Sequence, residues 1–433
     1  MRSFRDPMHG PVVRDTWEET RDERGPYVTT KPASASLRSF MYRSPLALAT
    51  FLACLALPLG AQAPRDTLRT DSRAMRVRDG YSTTDWWVEP NAQPDTYYLN
   101  FPLSGGVVTF VSERDSIRVT VKPGESRDFI VRLRDSVNVL TRVSATETYA
   151  RPRIVVGDTL AVQIIPFTMR DDRVYVEGTI NGSAPLVMQF DLGASGLTFN
   201  ERSVKKAPVR WDATDVLVNS DGRHTAPSSR SATIRIGALE WTRQSIVQTG
   251  NMERYEDVIF GNSLFRDRVV EIDYDRRELR VHATTPPITS AFVRHPLALD
   301  NGVRPLIQAE LLVNGSWIKD WYLFDTGHTG TLMLSAKHNR DQQLAARLGA
   351  RWGIGDRRLF RARGFRIGSV QLPAGTAVVQ VMKDVDRGNA YSLIGNSWLK
   401  RFNVILDNRR GAIWLAPTRA VASSPASASR ERT

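Results

Sequence analysis

Two stretches of the 433-residue chain set an aspartate in nearly the same frame: Leu186-Val-Met-Gln-Phe-Asp-Leu-Gly-Ala-Ser195 and Trp321-Tyr-Leu-Phe-Asp-Thr-Gly-His-Thr329. Each is an apolar run ending in Phe-Asp-x-Gly-x-Ser/Thr. Two carboxylates held a few ångströms apart cannot both ionise cheaply, so they share one proton and serve as acid and base together. A single Asp-x-Gly is often just an Asx-type turn closing a hairpin. Two in matched settings make paired-carboxylate chemistry the leading hypothesis.

The match runs well past the aspartates. Downstream of the first lie Val258-Ile-Phe-Gly-Asn-Ser-Leu-Phe265 and then Val269-Val-Glu-Ile-Asp273; downstream of the second lie Ser392-Leu-Ile-Gly-Asn-Ser-Trp-Leu399 and Phe402-Asn-Val-Ile-Leu-Asp407. From Asp191 to Gly261 is 70 residues, and from Asp325 to Gly395 is also 70; Asp273 and Asp407 each follow their glycine by 12. Ile234-Arg-Ile-Gly237 echoes Phe365-Arg-Ile-Gly368, and the turn pairs Asn181-Gly182 and Asn314-Gly315 precede the two aspartates at similar distances. An internal duplication of this kind fixes the architecture before any one motif is interpreted.

The elements that must position these residues read as strands. Val174-Tyr-Val-Glu-Gly-Thr-Ile180, an Asn-Gly turn and Leu186-Val-Met-Gln-Phe190 form a hairpin running into the first Asp-Leu-Gly. Alternating strands also appear at 96–101, 106–111, 116–121 and 128–133, separated by Ser-Gly-Gly and Lys-Pro-Gly-Glu turns. The one clear helical pattern is Asp341-Gln-Gln-Leu-Ala-Ala-Arg-Leu348, about two turns. The predicted fold class is all-β: two duplicated lobes at 160–285 and 292–417, preceded by a small antiparallel β domain at 81–151. Residues 64–80, polar and arginine-rich, read as a linker, and 418–433, rich in Ser, Ala and Arg, as a disordered tail.

Composition supports an exported globular protein. The apolar fraction is 41% and mean hydropathy −0.31, which argue against a multi-span membrane protein. Residues 1–63 hold an N-terminal extension and a signal peptide. The stretch Met41–Ala63 has a basic start, an apolar centre short for a stable span and a small-x-small ending, so cleavage is expected after Ala63. Translation beginning at Met41 fits the polar, mixed-charge character of what precedes it. A retained N-terminal anchor, or acylation at Cys54, is the alternative. Cys54 is the only cysteine, so the processed chain would form no disulfide and offer no thiol nucleophile. The expected location is periplasmic or secreted, with no stable membrane insertion after cleavage.

The net charge of +13 comes mostly from scattered arginines, with no basic block interleaved with aromatics, so nucleic acid is not an expected partner. The six histidines show no His-Glu-x-x-His or Cys/His spacing, and no metal or other cofactor is expected. Ser203-Val-Lys-Lys206 matches a Ser-x-x-Lys pattern without its Lys-Thr-Gly partner and reads as coincidence. Asp273 and Asp407 read as turn residues that end strands.

With these residues in view, 160–417 resembles the aspartic peptidase clan, the pepsin-like and retropepsin-like enzymes, and among them bacterial two-lobe aspartyl-protease-family proteins. The resemblance rests on both Asp-x-Gly loops and on Ile259-Phe-Gly261 and Leu393-Ile-Gly395, which in that family frame the loop of each lobe. It implies closed-barrel lobes and an aspartic-type endopeptidase acting on a peptide or protein substrate, in which Asp191 and Asp325 activate a trapped water. Gly193 and Gly327 would let the loops approach closely and donate N–H groups to the carboxylates. Ser195, Thr326 and Thr329 would support the site with their hydroxyls, Ser195 and Thr329 by bonding the neighbouring carboxylate. The substrate-binding residues are not assigned.

Two departures from the family pattern stand beside the matches. Leu192 occupies the place of the Thr or Ser whose hydroxyl locks one lobe to the other, His328 replaces a small residue, and only Thr326 can form its half of the lock. A catalytically inactive peptide- or envelope-binding protein that keeps the cleft is therefore the rival reading. The hairpin Val216–Thr225 and the glycine-rich, basic stretch Trp352–Leu359 are candidate flaps over a bound peptide.

Overall fold

The computed structural model describes residues 66–80, 83–148, 151–154, 161–219, 222–300, 302–381 and 391–422. The Met41–Ala63 segment, Cys54 and the rest of 1–63 lie outside the described residues, as do 423–433. The described chain is all-β with a few short helices, and no helix among its described residues is long and apolar enough to cross a membrane.

The same local topology occurs twice. Leu186–Phe190 runs parallel to Val258–Phe260, with Phe190 opposite Phe260, while Leu197–Asn200 pairs with Val258–Phe260 from the other side in the antiparallel sense. In the second copy Ser316–Asp325 runs parallel to Ser392–Gly395, with Asp325 opposite Gly395, and Leu332–Leu334 pairs antiparallel to it. Each aspartate thus leaves the end of a strand buried on both faces, which is why the preceding residues read as an unbroken apolar run. Val174, Val176, Leu186, Met188 and Phe190 on one side, Ile307, Ala309, Leu311, Tyr322 and Phe324 on the other, feed one continuous core with Trp241, Phe199, Phe365 and Trp398.

The glycines that end the Ile-Phe-Gly and Leu-Ile-Gly segments have a specific job. A Cβ on Gly261 would overlap the carbonyl oxygens of Asp191 and Ala194, and one on Gly395 would overlap those of His328 and Gly330. The backbone of each Asp loop therefore lies directly on its glycine, a contact no larger residue permits.

The lobes are also joined by a feature the sequence reading did not foresee. Val162–Pro166, Glu278–His282 and Val269–Asp273 of the first copy continue into Phe402–Asp407, Ala412–Pro417 and Val293–Asp300 of the second as one sheet. The join is antiparallel, with Val269 opposite Asp407 and Ile272 opposite Val404. Asp273 and Asp407 close the turns beyond: Asp273 accepts the Arg276 N–H at 2.9 Å, and Asp407 accepts those of Arg409 and Arg410 at 3.0 Å each.

The linker expectation for 64–80 is corrected. Thr67–Thr70 and Ala74–Arg78 are strands, and they bury Leu68, Thr70, Met75 and Val77 on alternate positions. Two short runs of period two hid among the arginines that fill the outward positions. The small domain therefore begins by Thr67, and it is not wholly antiparallel. One four-stranded sheet orders Thr67–Thr70, Ser126–Leu133, Val137–Ser144 and Asp95–Tyr98, with both outer strands parallel to their neighbours. The second orders Thr83–Trp87, Ala74–Arg78, Gly106–Val111 and Ser116–Val121, all antiparallel. Phe110 of one sheet meets Phe129 of the other, ring centroids 5.0 Å apart.

This domain is bound into the rest. Phe101 is 1% exposed, joins the main core and lies on Gly411; Asn100 donates to Leu299 O at 3.1 Å, and Arg266 donates to Asn100 O at 2.6 Å. At the far end, Arg419–Ala422 of the supposed tail forms a helical turn, anchored by the Thr418 N–H on Arg401 O and the Arg419 N–H on Asp275. The predicted helix is in fact two: Ala336–Gln342, capped by the Ser335 hydroxyl, and Leu344–Arg347, with Gln343 in the left-handed conformation between them.

Candidate active site

The two Asp loops meet. A Cβ on Gly193 would overlap the Asp325 carboxyl, and one on Gly327 would overlap the Asp191 carboxyl, so each carboxyl group packs on the glycine of the opposite loop. The carboxyls are close enough to act on each other's protonation. Asp325 is 9% exposed and Asp191 somewhat more open. Burial raises both groups above the ordinary carboxylate range. For Asp191 the charge of Asp325 adds to this, against the Gly193 N–H, and pushes it up to about 8. Asp325 is raised less simply, because three hydrogen bonds and a nearby cation, Arg304, oppose burial.

The backbone donors are unequal. Asp191 Oδ1 accepts the Gly193 N–H at 2.7 Å. Asp325 Oδ1 accepts those of both Gly327 and His328, each at 3.0 Å. Gly193 and Gly327 each lie against the opposite carboxyl and donate an N–H to the aspartate of their own loop.

Thr326 makes its half of the cross-lobe lock. Its hydroxyl donates to Phe190 O at 3.0 Å and accepts the Leu192 N–H at 2.9 Å, and Thr326 is fully buried. Leu192 returns nothing of the kind: its side chain is fully buried in the main apolar core. Ser195 and Thr329 need correction as carboxylate supports. Both are exposed, and no hydroxyl bond from either to a carboxylate occurs among the described contacts. The turn explains this: the N–H groups two and three positions after Asp325 already face its carboxylate, so the fourth residue has passed beyond it.

Several site residues escaped the sequence reading. Arg173 reaches from the first copy to donate to Gly327 O at 3.0 Å. The Gly-Asn-Ser asparagines span the lobes in matching ways: Asn262 donates to Val303 O at 2.8 Å, and Asn396 to Asp172 O at 2.6 Å. Tyr274 adds its hydroxyl to Asn396 Oδ1 at 2.7 Å. The repeated Gly-Asn-Ser was the available signal for the asparagines; nothing in the sequence singled out Arg173 among so many arginines.

His328 is largely enclosed beside the two carboxyls. Burial holds its imidazole below the ordinary value, with Arg357 and Arg173 acting the same way and Asp191 opposing them. Arg357 opens the strand Arg357–Ala362 within the Trp352–Leu359 stretch; Trp352 and Ile354 before it are 85% and 92% exposed, so only the front of that candidate flap is an open loop. The other candidate is a hairpin of Ala213–Asn219 on Gly222–Ile236, with Asn219 opposite Gly222 and Val216 exposed; its tip lies outside the described residues.

A second constellation carries the atoms of a Ser-His-Asp relay. His338 Nδ1 is 2.9 Å from Ser392 Oγ, and its Nε2 is 3.1 Å from Asp320 Oδ2. Ser392 is 2% exposed and also accepts the Ser335 N–H, so this relay ties a helix to a strand where no substrate reaches. Ser203 and Lys206 likewise converge on the buried Asp257 carboxylate, at 2.5 and 2.6 Å, and serve packing.

No family model and no curated protein sequence matches the chain. Among solved structures it is similar to the aspartic proteinase from Irpex lacteus, with a TM-score of 0.44 and 14% identity over 61% of this chain and 99% of that one.

Proposed function

We propose that the chain is an aspartic-type endopeptidase that hydrolyses peptide bonds through Asp191, Asp325 and a water held between them. The observation that supports this reading best is the mutual packing of the two carboxyls on each other's loop glycines within a duplicated frame. In this mechanism the pair holds a single proton. The two N–H bonds on Asp325, against one on Asp191, bias that proton toward Asp191. Ionised Asp325 then takes a proton from the water as it attacks the scissile carbonyl. Protonated Asp191 donates to the carbonyl oxygen, giving a neutral diol; the C–N bond then breaks as the proton gained by Asp325 passes to the leaving amine and a diol hydroxyl returns its proton to Asp191, restoring the singly protonated pair. No covalent intermediate forms. Peptide or protein is the proposed substrate, and the periplasm or the exterior the proposed location, resting on Met41–Ala63.

One observation favours the rival, a peptide-binding protein without activity: Leu192 buries an apolar side chain where the second cross-lobe hydroxyl would stand. A mixed peptide library incubated from acid to neutral pH with residues 64 onward decides between them, with Asp191→Asn and Asp325→Asn alongside. Cleavage that either substitution abolishes establishes the dyad. Retained folding and peptide binding without cleavage moves the chain to the rival class.

A further inference from the structure

We propose that Arg173 is a positioning residue that ties the second Asp loop to the first lobe, supplying the restraint that Leu192, lacking a hydroxyl, does not. The inference rests on the dyad reading above and deepens it.

The geometry runs through one peptide plane. Arg173 Nε donates to Gly327 O at 3.0 Å, and the N–H of the same peptide unit, on His328, donates to Asp325 Oδ1 at 3.0 Å. Because the amide is planar, holding its oxygen fixes the direction of its N–H. A cation on the oxygen also polarises the amide and strengthens what the N–H gives. Arg173 is itself held: its Nη1 lies 3.4 Å from Glu253 and 3.6 Å from Glu256. Glu256 is 2% exposed and accepts the Tyr175 hydroxyl at 2.6 Å and the Glu253 N–H at 2.8 Å. The guanidinium therefore has little freedom to leave Gly327.

The duplication gives Arg173 a counterpart. Arg173 stands two residues before Tyr175, which pairs with Gln189; Arg304 stands two before Leu306, which pairs with Leu323. Gln189 and Leu323 each precede their aspartate by two, so Arg173 and Arg304 are equivalent. Arg304 pairs with Asp300 of its own lobe. Arg173 crosses in the direction of the tie that Leu192 lacks: Thr326 links the second loop's side chain to the first lobe, and Arg173 links the first lobe's side chain to the second loop.

The charged groups facing the pair are few. Arg173 faces Asp191, Arg304 faces Asp325, and His328 lies against Asp191 with Arg173 and Arg357 near it. Removing the Arg173 charge favours the protonated pair, so its titration moves to higher pH.

The test compares Arg173→Met and Arg173→Lys, each with and without Leu192→Thr, in the chain from residue 64. Two readouts are followed from about pH 4 to 9: kcat and KM on a cleaved peptide, and thermal unfolding. Arg173→Met is expected to lower kcat by about ten- to a hundredfold at nearly constant KM. The alkaline limb and the midpoint of the pH-dependent stability loss should both move upward. Arg173→Lys keeps the charge without the planar fork, so it should restore the pH midpoints and only part of kcat. Leu192→Thr should recover kcat in the Met background. An Arg173→Met protein with a lower Tm at every pH but unchanged midpoints and kcat overturns the proposal and leaves a structural ion pair. If the wild-type chain cleaves no peptide, the endopeptidase reading fails alone. The unfolding midpoint then decides this one: an upward shift supports it, and no shift overturns it.

Discussion

Thr326 and Leu192 meet across the lobes as a lock with one working half: the threonine hydroxyl accepts the Leu192 N–H at 2.9 Å and donates to Phe190 O at 3.0 Å, while the leucine side chain turns into the core. Replacing Thr326 by Val keeps the volume and removes both bonds, leaving a buried N–H and a carbonyl without that partner. The expected loss is about 1–3 kcal/mol of stability. Urea unfolding measures it, and an unchanged midpoint at unchanged m-value would show that the lock contributes nothing.

The dyad gives stability a definite slope with pH. A carboxyl whose folded pKa stands above its unfolded value binds its proton more tightly when folded. Its contribution is complete below the unfolded value, about 4, and is lost as pH rises through the folded one, about 8 for Asp191. Stability is therefore expected to decline across that window, and cleavage to stop where the shared proton leaves. Asp191→Asn should flatten the decline. Thermal unfolding of both proteins in matched buffers checks the sign.

Gly193→Ala and Gly327→Ala each place a methyl group inside the opposite carboxyl. The carboxyls must separate to admit it. Cleavage should fall by about a hundredfold or more, as misplacement by an ångström does in other sites, while the fold survives. Peptide cleavage beside circular dichroism separates the two effects.

Asn262 and Asn408 exchange side-chain amide bonds at 2.7 Å in both directions, in full burial, and Asn408 also donates to Phe265 O. Asn408→Ala leaves the buried Asn262 Oδ1 without its donor, while Asn262 keeps its bond to Val303 O. The expected cost is about 1–3 kcal/mol, read by chemical denaturation; Asn262→Ala combined with it should cost less than the sum of the two single changes, because they break the same bonds.

Phe101→Ala tests the seat of the small domain. The ring is buried against Gly411 in the core of the lobes, and its removal should cost about 3–5 kcal/mol. Limited proteolysis should then cut near residues 145–160 faster than in the wild type. Equal cutting rates would mean that Asn100 and Arg266 suffice to hold the domain.

The two Asp loops were legible because the duplication repeats their whole frame, and the apolar runs before Asp191 and Asp325 announce strands buried on both faces. Thr67–Thr70 and Ala74–Arg78 were not legible, since two inward residues per strand are too few to stand out among arginines. Ser195 and Thr329 were misplaced for a geometric reason: sequence spacing counts residues, whereas the turn after each aspartate uses up its reach within three. Arg173 was beyond sequence reading because its partner, a backbone carbonyl 154 residues away, has no side-chain signature.

The antiparallel join between Val269–Asp273 and Phe402–Asp407 sets how the molecule can be divided. Either half alone would show a bare, apolar strand edge, a template for self-association. Together the halves cap one another. A nick in the exposed stretch around Thr289–Ala291, which connects them outside the sheet, would therefore leave the seam intact. Two separately made halves should find each other through that edge, reassembling as complementary fragments rather than persisting as independent bodies.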